Sequence, residues 1–438
     1  MGISLDGLAS GLDTTALINS LMQVEAIPQT QLKNKSADIQ SMVSALQALN
    51  TKVAALATQA TATGKAGALE LVSATSSSDK VTVVTTAAAK AGSIDFTVTR
   101  LAQTQVTVSE AVAAWPQSTL TVTSGGTSKD ITAASTSLDD VVAAVNTAGA
   151  GVTAAKVAVG GGQFRLQFTS TASGQAGAFT VTSSGVNISE AKTAQDAEIQ
   201  LWSGLATPQP ITSSTNTFTD LLPSISVSVK ETTAAPVTVT VSRDDAAISK
   251  VASDLVSGVN GVLSHIASRS TVSSSGTTTS AGIFTGDSTI REVNQKLLSA
   301  ASAPVGTPPR SPSDIGISIT KTGTMEFDDK KFAAALATDP AGVQSKVQEL
   351  ATRIAAAANT ASDKYDGTLT NKISGQQSTV KDLAGRISDW DLRLESRKQT
   401  LQRTYSALEV ALSGMKAQSA WLSSQLAGLS TSSGSTSS

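Results

Sequence analysis

Two stretches of helical hydrophobic spacing lie at opposite ends of this chain, and between them the pattern changes to strict alternation. Near the N-terminus Ile39, Met42, Leu46, Leu49, Val53 and Leu56 recur at alternating spacings of three and four, the a/d stripe of a coiled-coil helix. Near the other end Val380, Leu383, Ile387, Trp390 and Leu394 keep that spacing, and Leu401, Leu408 and Met415 continue it. Arg397 intrudes at a d position and reads as a rim residue whose alkyl stem lies along the seam. Upstream, Asp13 is expected to cap a short helix carrying Leu17, Ile18, Leu21 and Met22 on one face. A break is expected near Ile27, because Pro28 ends that helix and suits the first turn of the next. A helix over 28–59 would reach ~48 Å at about 1.5 Å per residue.

Each stripe needs cover, since burying one large apolar side chain is worth roughly 1.5–3 kcal/mol. Pairing the two stripes with each other is the economical solution. Packing each separately on its own globular core is the other reading.

The centre alternates apolar and hydroxyl residues. Val81-Thr82-Val83-Val84-Thr85, Phe96-Thr97-Val98-Thr99, Leu120-Thr121-Val122-Thr123, Phe164-Arg165-Leu166-Gln167-Phe168, Ile225-Ser226-Val227-Ser228-Val229 and Val237-Thr238-Val239-Thr240-Val241 read as strands. One short helix over 137–146 interrupts them, with Leu138, Val141, Val142 and Val145 on one face. The fold class is therefore α+β: a strand-rich insertion mounted on a helical stalk. The Ser/Thr/Gly-rich stretch 270–281 reads as a flexible linker and 430–438 as a disordered tail, while Pro308, Pro309 and Pro312 mark a further loop.

Composition narrows the function classes. With 438 residues, two to four domains are expected, and 40% hydrophobic content fills them. A net charge of -2 without long like-charge blocks argues against nucleic acid as a partner. Aromatics at 3% suit thin sheets and small-residue helices better than a ligand pocket. The absence of Cys removes disulfides, thiolate metal sites and thiol nucleophiles together. No Lys or Arg precedes Lys33, so a secretory signal peptide is not expected, and Asp6 breaks the myristoylation pattern that Gly2 begins. No run approaches the roughly 20 apolar residues of a membrane span. The chain is expected to stay in the cytoplasm or to leave by a route without a cleaved signal.

Candidate chemistry is thin. His265, the single imidazole, sits with Val259, Val262 and Ile266 and no second ligand, so a surface helix position is expected rather than a base or metal ligand. Gly160-Gly161-Gly162 precedes a strand-like run and reads as a turn, not a phosphate cradle. Asp139-Asp140 and Asp328-Asp329 read as helix N-terminal or turn charges. The expectation is no enzyme, no metal and no cofactor.

Gly7-Leu8-Ala9-Ser10-Gly11-Leu12-Asp13-Thr14, followed by Leu17-Ile18, Leu21-Met22, Glu25, Pro28 and Leu32, resembles the N-terminal signature of the flagellar hook-associated protein 2 family, the filament caps. Leu101-Ala102-Gln103-Thr104-Gln105 looks like that family's turn into its outer domains. The 137–146 helix with Gly151-Val152-Thr153-Ala154 and Leu166-Gln167-Phe168-Thr169-Ser170 is similar to the hook IN motif of axial proteins. Ala194-Gln195-Asp196-Ala197 through Ser213-Ser214-Thr215-Asn216 resembles its return strand pair. Phe284-Thr285-Gly286-Asp287, Asp314-Ile315-Gly316-Ile317 and Gly323-Thr324-Met325-Glu326-Phe327-Asp328 resemble its C-terminal region. Two departures stand out: Ser224 and Ser226 replace a glycine-bearing turn, and Thr285 replaces a common Leu.

The resemblance implies an antiparallel coiled-coil stalk formed by both termini, with strand-rich outer domains inserted. It divides the chain into a disordered or helical terminus (1–28), a discontinuous helical leg (29–70 plus 282–415) and an inner β domain (71–105 plus 190–245). An outer α+β domain (106–189), a helix with its Ser/Thr-rich linker (246–281) and a terminal helix with disordered tail (416–438) complete it. It implies export without a cleaved signal to the extracellular flagellar tip. There a rotating, pentamer-like ring of copies would promote folding and insertion of flagellin and prevent its loss. Implied partners are further copies of the chain, flagellin, hook-filament junction proteins, the flagellar type III export apparatus and an export chaperone. Candidate filament contacts are Leu12, Leu17, Leu21, Trp421, Leu422 and Leu426. A tip adhesin, or another axial protein such as a junction protein or flagellin, is the alternative.

Overall fold

The computed structural model describes residues 11, 13–86, 89–275 and 278–432. Residues 7–10 and Leu12 of the N-terminal signature, and the expected tail beyond Ser432, lie outside the described residues.

Asp13 accepts a hydrogen bond from the Ala16 N–H at 2.7 Å and opens α1 (Thr14–Glu25). The expected break at Ile27 is a one-residue joint. Ala26 keeps helical angles and its N–H still reaches the Met22 carbonyl at 2.9 Å. α2 (Ile27–Thr63) then starts with Pro28 in its first turn, where a missing N–H costs nothing, and closes at Gly64.

Strands follow: β1 (Val72–Ser76), β2 (Val81–Thr85), β3 (Gly92–Arg100), β4 (Val106–Ser109), β5 (Thr119–Ser124) and β6 (Thr127–Thr132). Ser137 precedes α3 (Leu138–Ala148), which has Asp139 and Asp140 at its positive end and stops at Gly149, whose φ of 61° suits a residue without Cβ. Beyond it run β7 (Val152–Gly160), β8 (Gln163–Ser170), β9 (Phe179–Thr182), β10 (Ile188–Lys192) and β11 (Ala197–Leu201). β12 (Gln209–Ser213), β13 (Thr217–Thr219), β14 (Ile225–Val229) and β15 (Val237–Arg243) complete the insertion.

The chain returns through α4 (Asp245–Ser270). The stretch expected to be a flexible linker instead pairs with itself, as β16 (Val272–Ser275) and β17 (Thr278–Ala281) form an antiparallel hairpin. The backbone hydrogen bonds between the two arms hold it, and composition carries no signal of that pairing. Then come α5 (Ser288–Ser302), β18 (Ile317–Ile319), β19 (Met325–Phe327), α6 (Asp329–Thr338) and α7 (Pro340–Ser362). Asp287, Asp328 and Asp339 cap the three helices by accepting first-turn N–H groups at 2.9–3.2 Å. α8 (Thr368–Ser432) is 65 residues long, ~98 Å at about 1.5 Å per residue. The separate terminal helix expected from 416 is its uninterrupted continuation, because no Pro or capping signal stops it there. Among the described residues no helix is long and apolar enough to cross a membrane.

Two compact units result, one from the described residues up to Ala66 and from Ser249 onward, the other Gly67–Ile248. In the second unit every strand pairing is antiparallel. The sheets β1-β15-β3-β11-β12 and β13-β14-β2 face each other over one core. Alternation builds it directly: Ile94, Phe96 and Val98, then Ile225, Val227 and Val229, then Val237, Val239 and Val241 all point inward. A second core unites the sheets β10-β4-β8-β7 and β6-β5-β9 with α3, around Trp115, Leu166, Phe168, Val141 and Val145.

Ser224 has φ 64°, and its carbonyl accepts the Thr86 N–H at 3.0 Å. A side chain strains that left-handed backbone. Ser224→Gly is therefore expected to stabilise the unit by about 0.5–1 kcal/mol, read as a higher urea midpoint at unchanged m-value. A lower midpoint would mean that the turn does not carry the strain assigned to it.

Candidate assembly surface

The first unit is organised along α2. Leu46, Leu49, Val53 and Leu56 of its stripe are fully buried, while Ile39 and Met42 are half-buried. Gln348 of α7 donates to the Lys65 carbonyl at 3.2 Å, Gln29 donates to Asp391 of α8, and Arg397 meets Glu25 at 3.1 Å. Contacts thus descend α2 as the chain ascends through α7 and α8, so both run antiparallel to it.

The N-terminal stripe was expected to pair with the 380–415 stripe. α7 also packs along α2, with Val343, Val347, Leu350 and Ile354 buried on its inner face. α4 passes so close that a Cβ on Gly258 would sit 3.2 Å from Leu56 Cδ1. The α7 stripe has the same three-four spacing as the two noticed from sequence, so the signal was there to be read.

Along α8 the cover thins. Leu383 is buried, Val380, Ile387, Trp390, Leu394 and Leu401 are half-buried, and Leu408 and Met415 are exposed. Arg393 lies over the Trp390 ring at 4.7 Å. Arg397 is at the rim, paired with Glu25 at about half exposure, where such a pair is worth roughly 0–1 kcal/mol. Farther on, Trp421, Leu422 and Leu426 are 62%, 54% and 64% exposed. α1 packs on α8, but through Ile18 and half-buried Met22, which leaves Leu17 and Leu21 at its exposed flank. Leu12 lies outside the described residues. Among the described residues a row of large apolar side chains on α8 is therefore left more than half exposed from Met415 to Leu426, with Leu408, Leu17 and Leu21 partly covered beside it, the mark of an interaction surface.

The residues that offered chemistry in the sequence hold the following places. His265 is half-buried rather than on the surface: its Nε2 is enclosed without a partner, its Nδ1 lies 3.4 Å from Arg269, and its ring is 6.4 Å from Phe284. Desolvation, then the charges of Arg269 and Lys52, hold its pKa below the ordinary imidazole value. Among the described residues no group of three His, Cys, Asp or Glu could hold a metal ion. Asp139 pairs with Lys156 at 2.8 Å, Asp328 is a helix cap, and Gly160, Gly161 and Gly162 form the left-handed turn between β7 and β8.

A helical unit assembled from both ends of the chain, a strand-rich unit threaded out between them and uncovered apolar helix faces define a structural α+β component of a larger assembly. Residues 10–105 match the flagellar hook-associated protein 2 N-terminus, residues 194–417 its C-terminus, and residues 119–172 the flagellin hook IN motif. The chain belongs to the flagellar hook-associated protein 2 family, and its role is that of the flagellar filament cap.

It is 26% identical over 457 residues to flagellar hook-associated protein 2 of Escherichia coli K12, covering 97% of this chain and 98% of that protein. The A-type flagellar hook-associated protein 2 of Pseudomonas aeruginosa is 24% identical over 475 residues, with the same coverage. The crystal structure of the D1-D2-D3 domains of the flagellar cap protein FliD from Escherichia coli covers 76% of this chain and 99% of its own, with a TM-score of 0.61 at 26% identity. Both end regions match hook-associated protein 2 and the flagellin likeness sits at 119–172, so a junction protein, a flagellin or a tip adhesin is not favoured.

Leu49→Ala is expected to cost about 2–5 kcal/mol in urea unfolding followed by helical circular dichroism. His265 should make stability fall with acid. Its folded pKa is depressed, so its contribution is complete above the unfolded value and is lost as pH drops toward the folded one. Melting temperatures of wild type and His265→Gln should converge below pH 6.5, the model-compound value; parallel curves would dismiss the titration.

Proposed function

We propose that copies of this protein form a ring at the extracellular tip of the flagellum, beneath which exported flagellin folds and inserts. The observation that carries this reading is the exposed apolar row Met415, Trp421, Leu422 and Leu426, continued by the partly exposed Leu408, Leu17 and Leu21. Burying what is still exposed of them against filament subunits supplies a part of the roughly 1.5–3 kcal/mol that a fully exposed side chain of this size would gain. Fixing the terminal helices against the filament costs part of that gain in lost side-chain and chain freedom, which keeps the grip releasable as the filament grows.

In this reading residues 29–70 and 282–415 are the leg, 71–105 and 190–245 an inner plate domain, and 106–189 an outer one. The seam from Ile39 to Leu56 and from Val380 to Met415 stiffens the leg. The protein acts sterically, without catalysis or cofactor. The type III export apparatus delivers it, an export chaperone attends it, and hook-filament junction proteins lie beneath it.

A Trp421→Ser, Leu422→Ser, Leu426→Ser variant, and separately a deletion of residues 1–28, should leave rings visible by electron microscopy of the purified protein. Neither should restore filaments to a strain lacking the native gene, and flagellin should accumulate in the medium. Full-length filaments from both variants would sink the proposal.

A further inference from the structure

The four-stranded sheet β10-β4-β8-β7 ends in two strands that each have one hydrogen-bonded neighbour among the described residues. On β7, the Asn146 side chain of α3 takes the place of a next strand at Ala154. Its Nδ2 donates to the Ala154 carbonyl at 3.0 Å, and its Oδ1 accepts the Ala154 N–H at 2.8 Å.

That contact fixes the phase of the edge. Phe164, opposite Ala158, exchanges both backbone hydrogen bonds with Val112 on its other side, at 2.9 and 2.8 Å. Ala154, Lys156 and Ala158 therefore turn their backbone groups away from β8. Asn146 answers the first of them, and residues 156–160 are left exposed, with Val157 and Val159 uncovered.

On β10 the phase is set by Asn187, whose carbonyl accepts the Glu110 N–H at 2.8 Å. Alternation then turns the Ile188 and Glu190 backbone groups outward. Glu190 pairs with Thr107, Thr107 with Phe168 and Phe168 with Ala154, so the Glu190 side chain shares a face with Lys156 and Ala158.

The two edges complement each other. An antiparallel sheet with an even number of strands has edges running in opposite directions. A second copy set beside the first in the same orientation brings its β10 antiparallel to the first copy's β7. The five-stranded sheet, whose edges β1 and β12 run the same way, offers only a parallel join. The open length matches too, since residues 156–160 face the five residues Ile188–Lys192. Bulges at Ala158/Gly160 and Glu190/Lys192 end the regular ladder on both edges, so the pairing is short and centres on Ala158 opposite Glu190.

We propose that the β7 edge over 156–160 of one copy pairs antiparallel with Ile188–Lys192 of a second copy, joining the outer sheets head to tail. This rests on the reading of the protein as a ring of its own copies, and it names the contact. A head-to-tail contact closes into a ring when its rotation permits.

The chain has no Cys, so introduced thiols report without background. Full-length Ala158→Cys and Glu190→Cys variants, mixed in equal amounts and treated with a bismaleimide, should give covalent dimers on a denaturing gel. The double variant should give a ladder, and each single variant alone should stay monomeric. Cross-linking by Ala158→Cys alone would mean a twofold β7–β7 contact and overturn the proposal. Rings of the double variant in electron micrographs with no ladder would overturn the edge pairing while leaving the ring intact. A native chain that stays monomeric in light scattering at high concentration would remove the ring itself.

Discussion

The apolar stripe of α2 needs an antiparallel partner, and that need ties the two ends of the chain together. Leu46, Leu49, Val53 and Leu56 are sealed by α7, by the close pass of α4 at Gly258 and by the onward run into α8, all of which the chain makes only after the strand-rich unit. Everything between Gly67 and Ile248 is consequently an insertion within a helical unit. The insertion has two cores of its own.

The same packing explains why the exposed surface lies where it does. α2 has 37 residues and α8 has 65, so the shorter helix runs out first. Cover along α8 declines from buried Leu383 through half-buried Leu394 to exposed Leu408 and Trp421, and α1 shields only part of the remainder. A cap must hold a surface that renews itself as subunits are added. Apolar helix faces left over from an unequal pairing provide contact area without committing the buried seam.

Much of this was legible from the order of residues. Alternation in Ile225–Val229 and Val81–Thr85 located those strands to the residue, because a period of two with β-branched side chains suits one half-buried face. Asp13 and Pro28 located the first two helix starts for equally local reasons. The hairpin over 272–281 was not legible, because a Ser/Thr/Gly run carries no apolar pattern and its pairing depends on the two arms meeting. The half-buried state of His265 was hidden likewise, since Phe284 reaches it from a distant part of the chain.

By itself the sequence determined the periodicities: two long amphipathic helices at the ends, alternating strands between them, and no Cys and a single imidazole to do chemistry. Those are properties of neighbours along the chain, fixed by helix and strand geometry. The tertiary structure decided which stripe covers which, dividing the cover of α2 between α7 and α8 and leaving Trp421, Leu422 and Leu426 open. It also decided which sheet edges stay unpaired. Both depend on how far packed elements extend past one another in space, and spacing along a chain carries no measure of that.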